Sequence, residues 1–357
     1  MEATKGRVLC VDDEPHVVRA LQWLLRKDFE VHAATNAADA LRLLTQFDFD
    51  VVMSDQRMPG ITGVEFLRDV RRAAPRAMRI LLTGYSDLDA MVRSVNESEV
   101  YRFVTKPWNI RELPLLVAEA VEIARQAPAV VPDADVAQEA VDSLAAPVGP
   151  GAVSHRPTLV AMRAGESILL IDDDEGVRRS MHDVLGADVR VRHAGNLAEA
   201  VHALDDGAVS VVISDVRVGA VDVTRLIRLM KQKHPEVVTV VFSGVKDAQV
   251  VMDLINQGQV YRFIPKPFKP GFIRLIVDSA LRRHRQLADT PEVRRRFQVQ
   301  AAGEEAKVSL LRDVERAALA FAGGGAPGAG AFADGGTDAG PGLLGRLSGG
   351  FRRLFGA

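Results

Sequence analysis

Along most of this chain, short runs of apolar residues alternate with stretches whose apolar positions recur at helical spacing. Arg7 to Val11, Asp50 to Ser54, Arg79 to Leu82 and Tyr101 to Thr105 are runs of the first kind, while Val17, Leu21, Leu24 and Leu25 mark one stretch of the second. Near-continuous apolar strands separated by amphipathic helices predict a parallel sheet covered on both faces, that is, a doubly wound α/β domain. The pattern then repeats. RVLCVDDEP, DVVMSDQRMPG, RILLTGY and VYRFVTKPW in the first half are answered by SILLIDDDE, SVVISDVRVGA, VVVFSGV and VYRFIPKPF in the second. Asp172, Asp215, Ser243 and Lys266 each lie 160 residues after Asp12, Asp55, Thr83 and Lys106, so the copies differ by no net insertion.

A self-similar pair fixes the domain organisation before any motif does. The first domain is expected over residues 1–126 and the second over 166–289. Between them, 127–165 holds five prolines (Pro128, Pro132, Pro147, Pro150, Pro157) among Ala and Val, the composition of a semi-extended linker. Residues 290–321 carry a helical stripe of Val308, Leu311, Val314, Ala318 and Phe321, expected to pack on one of the domains or on a second copy of the chain, the latter giving a homodimer. A Gly/Ala-rich stretch at 322–341 reads as disordered, and a final peptide, 342–357, sets Leu343, Leu344, Leu347, Phe351, Leu354 and Phe355 opposite Arg346, Arg352 and Arg353 on a helical wheel.

Composition narrows the function classes. With 47% hydrophobic and 26% charged residues the chain is of ordinary soluble type, and a formal net charge of −2 argues against a nucleic-acid partner. The single cysteine, Cys10, lies inside an apolar run and reads as a buried strand residue. No window approaches ~18 consecutive apolar residues and no signal peptide precedes Asp12, so a cytoplasmic location is expected.

In an open parallel sheet, chemistry gathers at the C-terminal strand edge. Asp12, Asp13, Asp55, Thr83 and Lys106 each follow an apolar run, so one edge collects three carboxylates, a hydroxyl and an ammonium. Carboxylates so crowded need a cation, and hard oxygen ligands suit Mg2+. The constellation fits phosphoryl transfer to a carboxylate: Asp55 as nucleophile, Asp12, Asp13 and Asp55 around Mg2+, Thr83 on a phosphoryl oxygen and Lys106 offsetting charge.

The DD pair, the Asp followed by MPG, the Thr followed by Gly, and the KP step, in this order and spacing, resemble the receiver domain of bacterial response regulators over almost all of residues 6–126. The YRFVTKPW segment looks like receivers found with HD-GYP phosphodiesterase outputs, although no such output follows. The resemblance implies a flavodoxin-like (βα)5 fold, a histidine kinase or phosphotransfer protein as phosphodonor, and no enzymatic activity beyond slow self-dephosphorylation. It also implies an aromatic switch three residues before the lysine, here Phe103 and Phe263, each of which either turns inward on phosphorylation or stays packed. Arg57 and Tyr85 fall at positions that the resemblance links to dephosphorylation rate.

In the second copy Asp172, Asp173, Asp215, Ser243 and Lys266 fill every role, with Asp172, Asp173 and Asp215 as the metal ligands, but MPG becomes VGA at Val218 to Ala220 and Asp174 adds a charge. That copy is either a second phosphoacceptor or a non-phosphorylated adaptor. The expected output is protein–protein interaction without DNA binding, with a phosphate sink for a shared kinase as the alternative. The final peptide is expected to dock on a downstream partner or an anionic membrane, or to have no role. An aspartyl-phosphate phosphatase would need a DxD motif, which Asp12-Asp13-Glu14 does not supply.

Overall fold

The computed structural model describes residues 5–84, 92, 95–126, 160–187, 189–205, 207, 209–219, 221–244, 248–266, 270–297, 304–323, 350–351 and 353–355. The first repeat forms strands β1 (Gly6–Val11), β2 (Phe29–Ala34), β3 (Val51–Asp55), β4 (Met78–Thr83) and β5 (Arg102–Thr105). They make one parallel sheet in the order β2-β1-β3-β4-β5. Helices α1 (Pro15–Leu25), α2 (Ala37–Gln46), α3 (Gly63–Ala73) and α4 (Glu112–Gln126) cover it.

Local chemistry sets these helix starts. Pro15 opens α1, where a missing N–H costs nothing. The Asn36 side chain accepts the Asp39 N–H at the start of α2. Thr62 and Glu65 form a reciprocal capping box on α3: the Glu65 N–H donates to Thr62 Oγ1 at 3.3 Å and the Thr62 N–H to Glu65 Oε2 at 2.9 Å. Val8, Cys10, Val51, Met53, Ile80 and Leu82 alternate onto one sheet face and pack with Leu21, Leu25, Leu113 and Val117. Cys10 is fully buried and burial pushes its thiol up to about 12, as suits an inert core residue.

The second repeat has β6 (Ile168–Ile171), α5 (Glu175–Leu185), β7 (Val191–Ala194), α6 (Leu197–Asp205), β8 (Val211–Ser214), β9 (Arg217–Val218), β10 (Val221–Asp222), α7 (Thr224–Lys233), β11 (Val238–Ser243), α8 (Ala248–Gly258), β12 (Arg262–Pro265) and α9 (Pro270–Asp289). Its sheet runs β12-β11-β8-β6-β7, the same topology as the first, and β9 and β10 add a small antiparallel hairpin. Helix α10 (Pro291–Arg294), a 3-10 turn (Arg295–Phe297) and helix α11 (Glu304–Gly323) follow.

Two compact units emerge. One comprises Met1–Pro147, Val245–Phe263 and Arg285–Gln298; the other comprises Val148–Gly244, Ile264–His284 and Val299–Ala357. In the second unit α11 packs on α6 and α7, as the helical stripe requires. The buried stripe is Leu310, Val314 and Ala318 rather than one through Val308, which is 46% exposed; i, i+4 spacing from Leu310 meets the receiver better. Arg225 fixes this helix through Ser309 at 2.8 Å and Asp313 at 3.4 Å.

The end of the chain departs from its expected partner. Phe351 and Phe355 are buried, Leu354 is nearly so, and Arg353 bonds Asp205 at 2.5 Å, all within the second unit. The surface that covers this peptide is the chain's own, because a tethered apolar segment meets its own domain at high effective concentration. The linker residues 127–159 and the 324–349 segment lie outside the described residues.

Candidate functional site

Strand ends β1, β3, β4 and β5 bring Asp12, Asp55, Thr83 and Lys106 to one edge. Lys106 Nζ donates to Asp12 Oδ2 at 2.6 Å and pairs with Asp55 Oδ1. Asp12 is fully buried, and its other oxygen accepts the Glu14 N–H at 3.1 Å. Asp55 is 6% exposed, with Oδ2 accepting the Arg57 N–H at 2.5 Å. Asp13, next to Asp12 in sequence, is half-buried. The Lys106-Pro107 peptide is cis.

Burial lifts the Asp12 carboxyl above the ordinary range, assisted by the Asp55 charge and opposed by Lys106 and the Glu14 N–H. Burial works against the Lys106 ammonium too, yet its bonds to Asp12 and Asp55 outweigh that and its pKa is raised. The lysine is therefore firmly charged and compensates both carboxylates. Among the described residues no group of three or more His, Cys, Asp or Glu side chains closes around an ion by itself.

Thr83 is buried and its hydroxyl donates to the Gly84 carbonyl at 3.1 Å, one residue on and not to Asp55. Phe103 and Phe263 are each 3% exposed, so both stand in packed positions. Arg57 is exposed, while Tyr85 lies outside the described residues.

The second repeat reproduces the lysine bridge: Lys266 Nζ donates to Asp172 Oδ2 at 2.7 Å and to Asp215 Oδ2 at 2.6 Å. Burial works against the Lys266 ammonium, but the bonds it donates to Asp172 and Asp215 outweigh that and its pKa is raised. Its acidic loop differs. Asp173 accepts the Gly219 N–H at 2.9 Å, so the altered loop reaches back onto a carboxylate counted on for metal. Asp174 caps α5, accepting the Gly176 N–H at 2.7 Å. Ser243 ends β11, and its side chain lies outside the described residues.

One residue escaped the motif reading. Gly63 starts α3 so close to the nucleophile strand that a Cβ there would stand 2.1 Å from the Asp55 carbonyl oxygen. The equivalent residue of the second repeat is Val223, fully buried at the end of the β9–β10 hairpin. The Thr-Gly-x-Glu capping signature at Thr62–Glu65 marks this helix start in the sequence, but nothing in it reports the approach to Asp55.

Comparison with known proteins agrees with this geometry. The response regulator receiver domain model matches residues 8–118 and 168–278. The chain belongs to this family, as a phosphoacceptor response regulator with two receiver domains in tandem. Hydrogenase transcriptional regulatory protein HoxA of Bradyrhizobium diazoefficiens is 40% identical over 121 residues, 34% of this chain and 25% of that protein. Regulatory protein AtoC of Escherichia coli is 35% identical over 119 residues, 33% of this chain and 26% of that protein. The chain thus spans about a quarter of the length of these relatives. A signal receiver domain of an HD domain-containing protein from Pseudomonas fluorescens is 33% identical, with a TM-score of 0.34, and covers 35% of this chain and 93% of that one. Receiver domains interact with histidine kinases or phosphotransfer proteins, are generally non-enzymatic, and typically bind Mg2+ at the acidic site. Among the described residues no helix is long and apolar enough to cross a membrane.

Proposed function

We propose that this chain is a cytosolic response regulator that takes a phosphoryl group on Asp55 from a phosphohistidine donor and signals through protein–protein contacts without a DNA-binding output. The observation that carries the reading is the Lys106 ammonium joined to both Asp12 and Asp55 at the end of β3. An Asp55 oxygen attacks phosphorus, the P–N bond breaks, and the donor imidazole leaves with that electron pair and takes a proton. Thr83, adjoining at the end of β4, turns its hydroxyl from Gly84 to a phosphoryl oxygen, and Lys106 offsets the new charge.

The donor set fits Mg2+, which keeps much of its water and asks for one or two carboxylates, so a closed three-residue cage is not required. Asp12, Asp13 and Asp55 would hold it, and when bound it neutralises charge on the phosphoryl oxygens. In the second receiver Asp172, Asp173 and Asp215 would be the corresponding ligands and Asp215 a slower acceptor, with Asp173 already engaged by Gly219. A phosphate-sink role rests on the same chemistry.

Acetyl phosphate with Mg2+ should give an acid-stable, base-labile phosphoprotein, and Asp55→Asn should remove most of the label. Undiminished labelling of that variant would make Asp215 the main acceptor. Affinity capture with and without beryllofluoride separates the two outputs: a protein retained only with beryllofluoride supports signalling by contact, and no difference favours the sink.

A further inference from the structure

Helix α11 is held to the second receiver along one stripe, Leu310, Val314 and Ala318, and Arg225 pins it through Ser309 and Asp313. A helix anchored in this way cannot roll to hide its remaining apolar residues. Val308 is 46% exposed and Leu319 58%. Eleven residues separate them, about three turns at ~3.6 residues per turn, so they stand on one side of the helix. Exposed Arg312 and half-buried Glu315 lie between them on the same line. The steps from 308 to 312, 315 and 319 are four, three and four residues, the alternation of a coiled-coil seam.

The seam is complementary to itself in one orientation. Positions 308 and 319 are equally far from the middle of Glu304–Gly323, and so are 312 and 315. A second copy laid end for end beside the first therefore sets Val308 against Leu319 of the partner subunit, and Arg312 against Glu315 of the partner subunit. A parallel copy would oppose arginine to arginine and glutamate to glutamate, which repel. Neighbouring charges are already engaged: Arg316 lies 3.5 Å from Asp313, which also meets Arg225. Among the described residues, Arg312 and Glu315 have no ion-pair partner within the chain.

We propose that this outward stripe of α11 is a dimer interface, occupied by the same stripe of a second copy of the chain running antiparallel. Val308 and Leu319 supply the apolar contact, while Arg312 and Glu315 fix orientation and register, as charged seam residues do. The helix is about 30 Å long at ~1.5 Å per residue, so the interface is small and the association transient. The inference needs no chemistry at Asp55 and stands or falls apart from the phosphoacceptor reading.

The test is sedimentation of the full chain, unphosphorylated and without Mg2+, over a range of concentrations. Wild type should exchange between monomer and dimer with a dissociation constant on the order of 100 μM. Arg312→Glu opposes carboxylates at both central layers and Glu315→Arg opposes guanidinium groups, so either variant alone should bind itself at least ~10-fold more weakly. The two variants mixed should associate with each other about as tightly as wild type, and the double variant Arg312→Glu/Glu315→Arg should do so with itself, because both arrangements restore opposite charges. An unchanged melting transition in each variant shows that the fold survives the swaps. A chain still monomeric at about 1 mM, a dimer indifferent to the single swaps, or a mixture that does not recover overturns the proposal.

Discussion

Replacing Gly63 by alanine adds a single methyl group, and its effect can be worked from one distance. The added Cβ would sit 2.1 Å from the Asp55 carbonyl oxygen and 2.8 Å from Leu81 Cδ1. The leucine tip can turn away, but the carbonyl belongs to β3 and the α3 start is held by the Thr62–Glu65 box and by the Gly63 N–H bond to Gln56 O at 3.0 Å. Restoring ordinary contact requires about 1 Å of relative movement between Asp55 and α3, and misplacement of that size costs on the order of 10²-fold in a positioned reaction. We expect Gly63→Ala to lower the initial rate of acetyl phosphate labelling by about that factor. The melting transition should survive with a modest loss, since overpacking costs typically ~1–3 kcal/mol. The assay is the time course of label on the Asp215→Asn background, so that one acceptor is read. Wild-type labelling from the Gly63→Ala chain would mean that the loop gives way freely and that the close approach positions nothing.

Three further outcomes follow from particular contacts. Lys231 is buried, its amine donating to the Val237 carbonyl, and burial brings its pKa down to about 7 from 10.5, helped by Arg283 and opposed by Glu236. The unfolded chain therefore holds a proton that the folded one lacks between those pH values, so stability should rise with pH across that window by at most ~1.4 kcal/mol per unit, and Lys231→Met should flatten the rise in urea midpoints. Asp13→Asn should remove the tighter of two Mg2+ binding phases, and Asp173→Asn the weaker, in a titration of the full chain; a tighter site lost with Asp173 would reverse the ranking of the receivers. Phe351→Ala should free the end of the chain at a cost of ~3 kcal/mol, seen as faster proteolysis near residue 350 with Asp55 labelling unchanged.

The α/β fold class, the repeat and the cluster of Asp12, Asp55 and Lys106 were legible because each rests on a local pattern: an apolar strand, then a chemical residue at its end. What escaped reading depends on contacts between segments distant in sequence. Asp174 looked like surplus charge because its capping bond to Gly176 is a matter of backbone geometry. Gly219 gave no hint that its N–H would engage Asp173, 46 residues earlier. Val308 and Leu310 are equally apolar, and only the receiver surface decides which is covered. The final peptide's amphipathic pattern was visible, but a pattern does not name the surface it meets.

The exchange of Gly63 for Val223 bears on how such a chain can change over generations. Two copies in constant register invite recombination, since a crossover anywhere in the unit preserves length and reading of every landmark. A conversion that carried the second copy's loop into the first would set a branched side chain where even one methyl group meets the Asp55 carbonyl. Conversion in the other direction would remove a fully buried valine from its packing. Each repeat's residue at this position thus fits its own loop and not the other's.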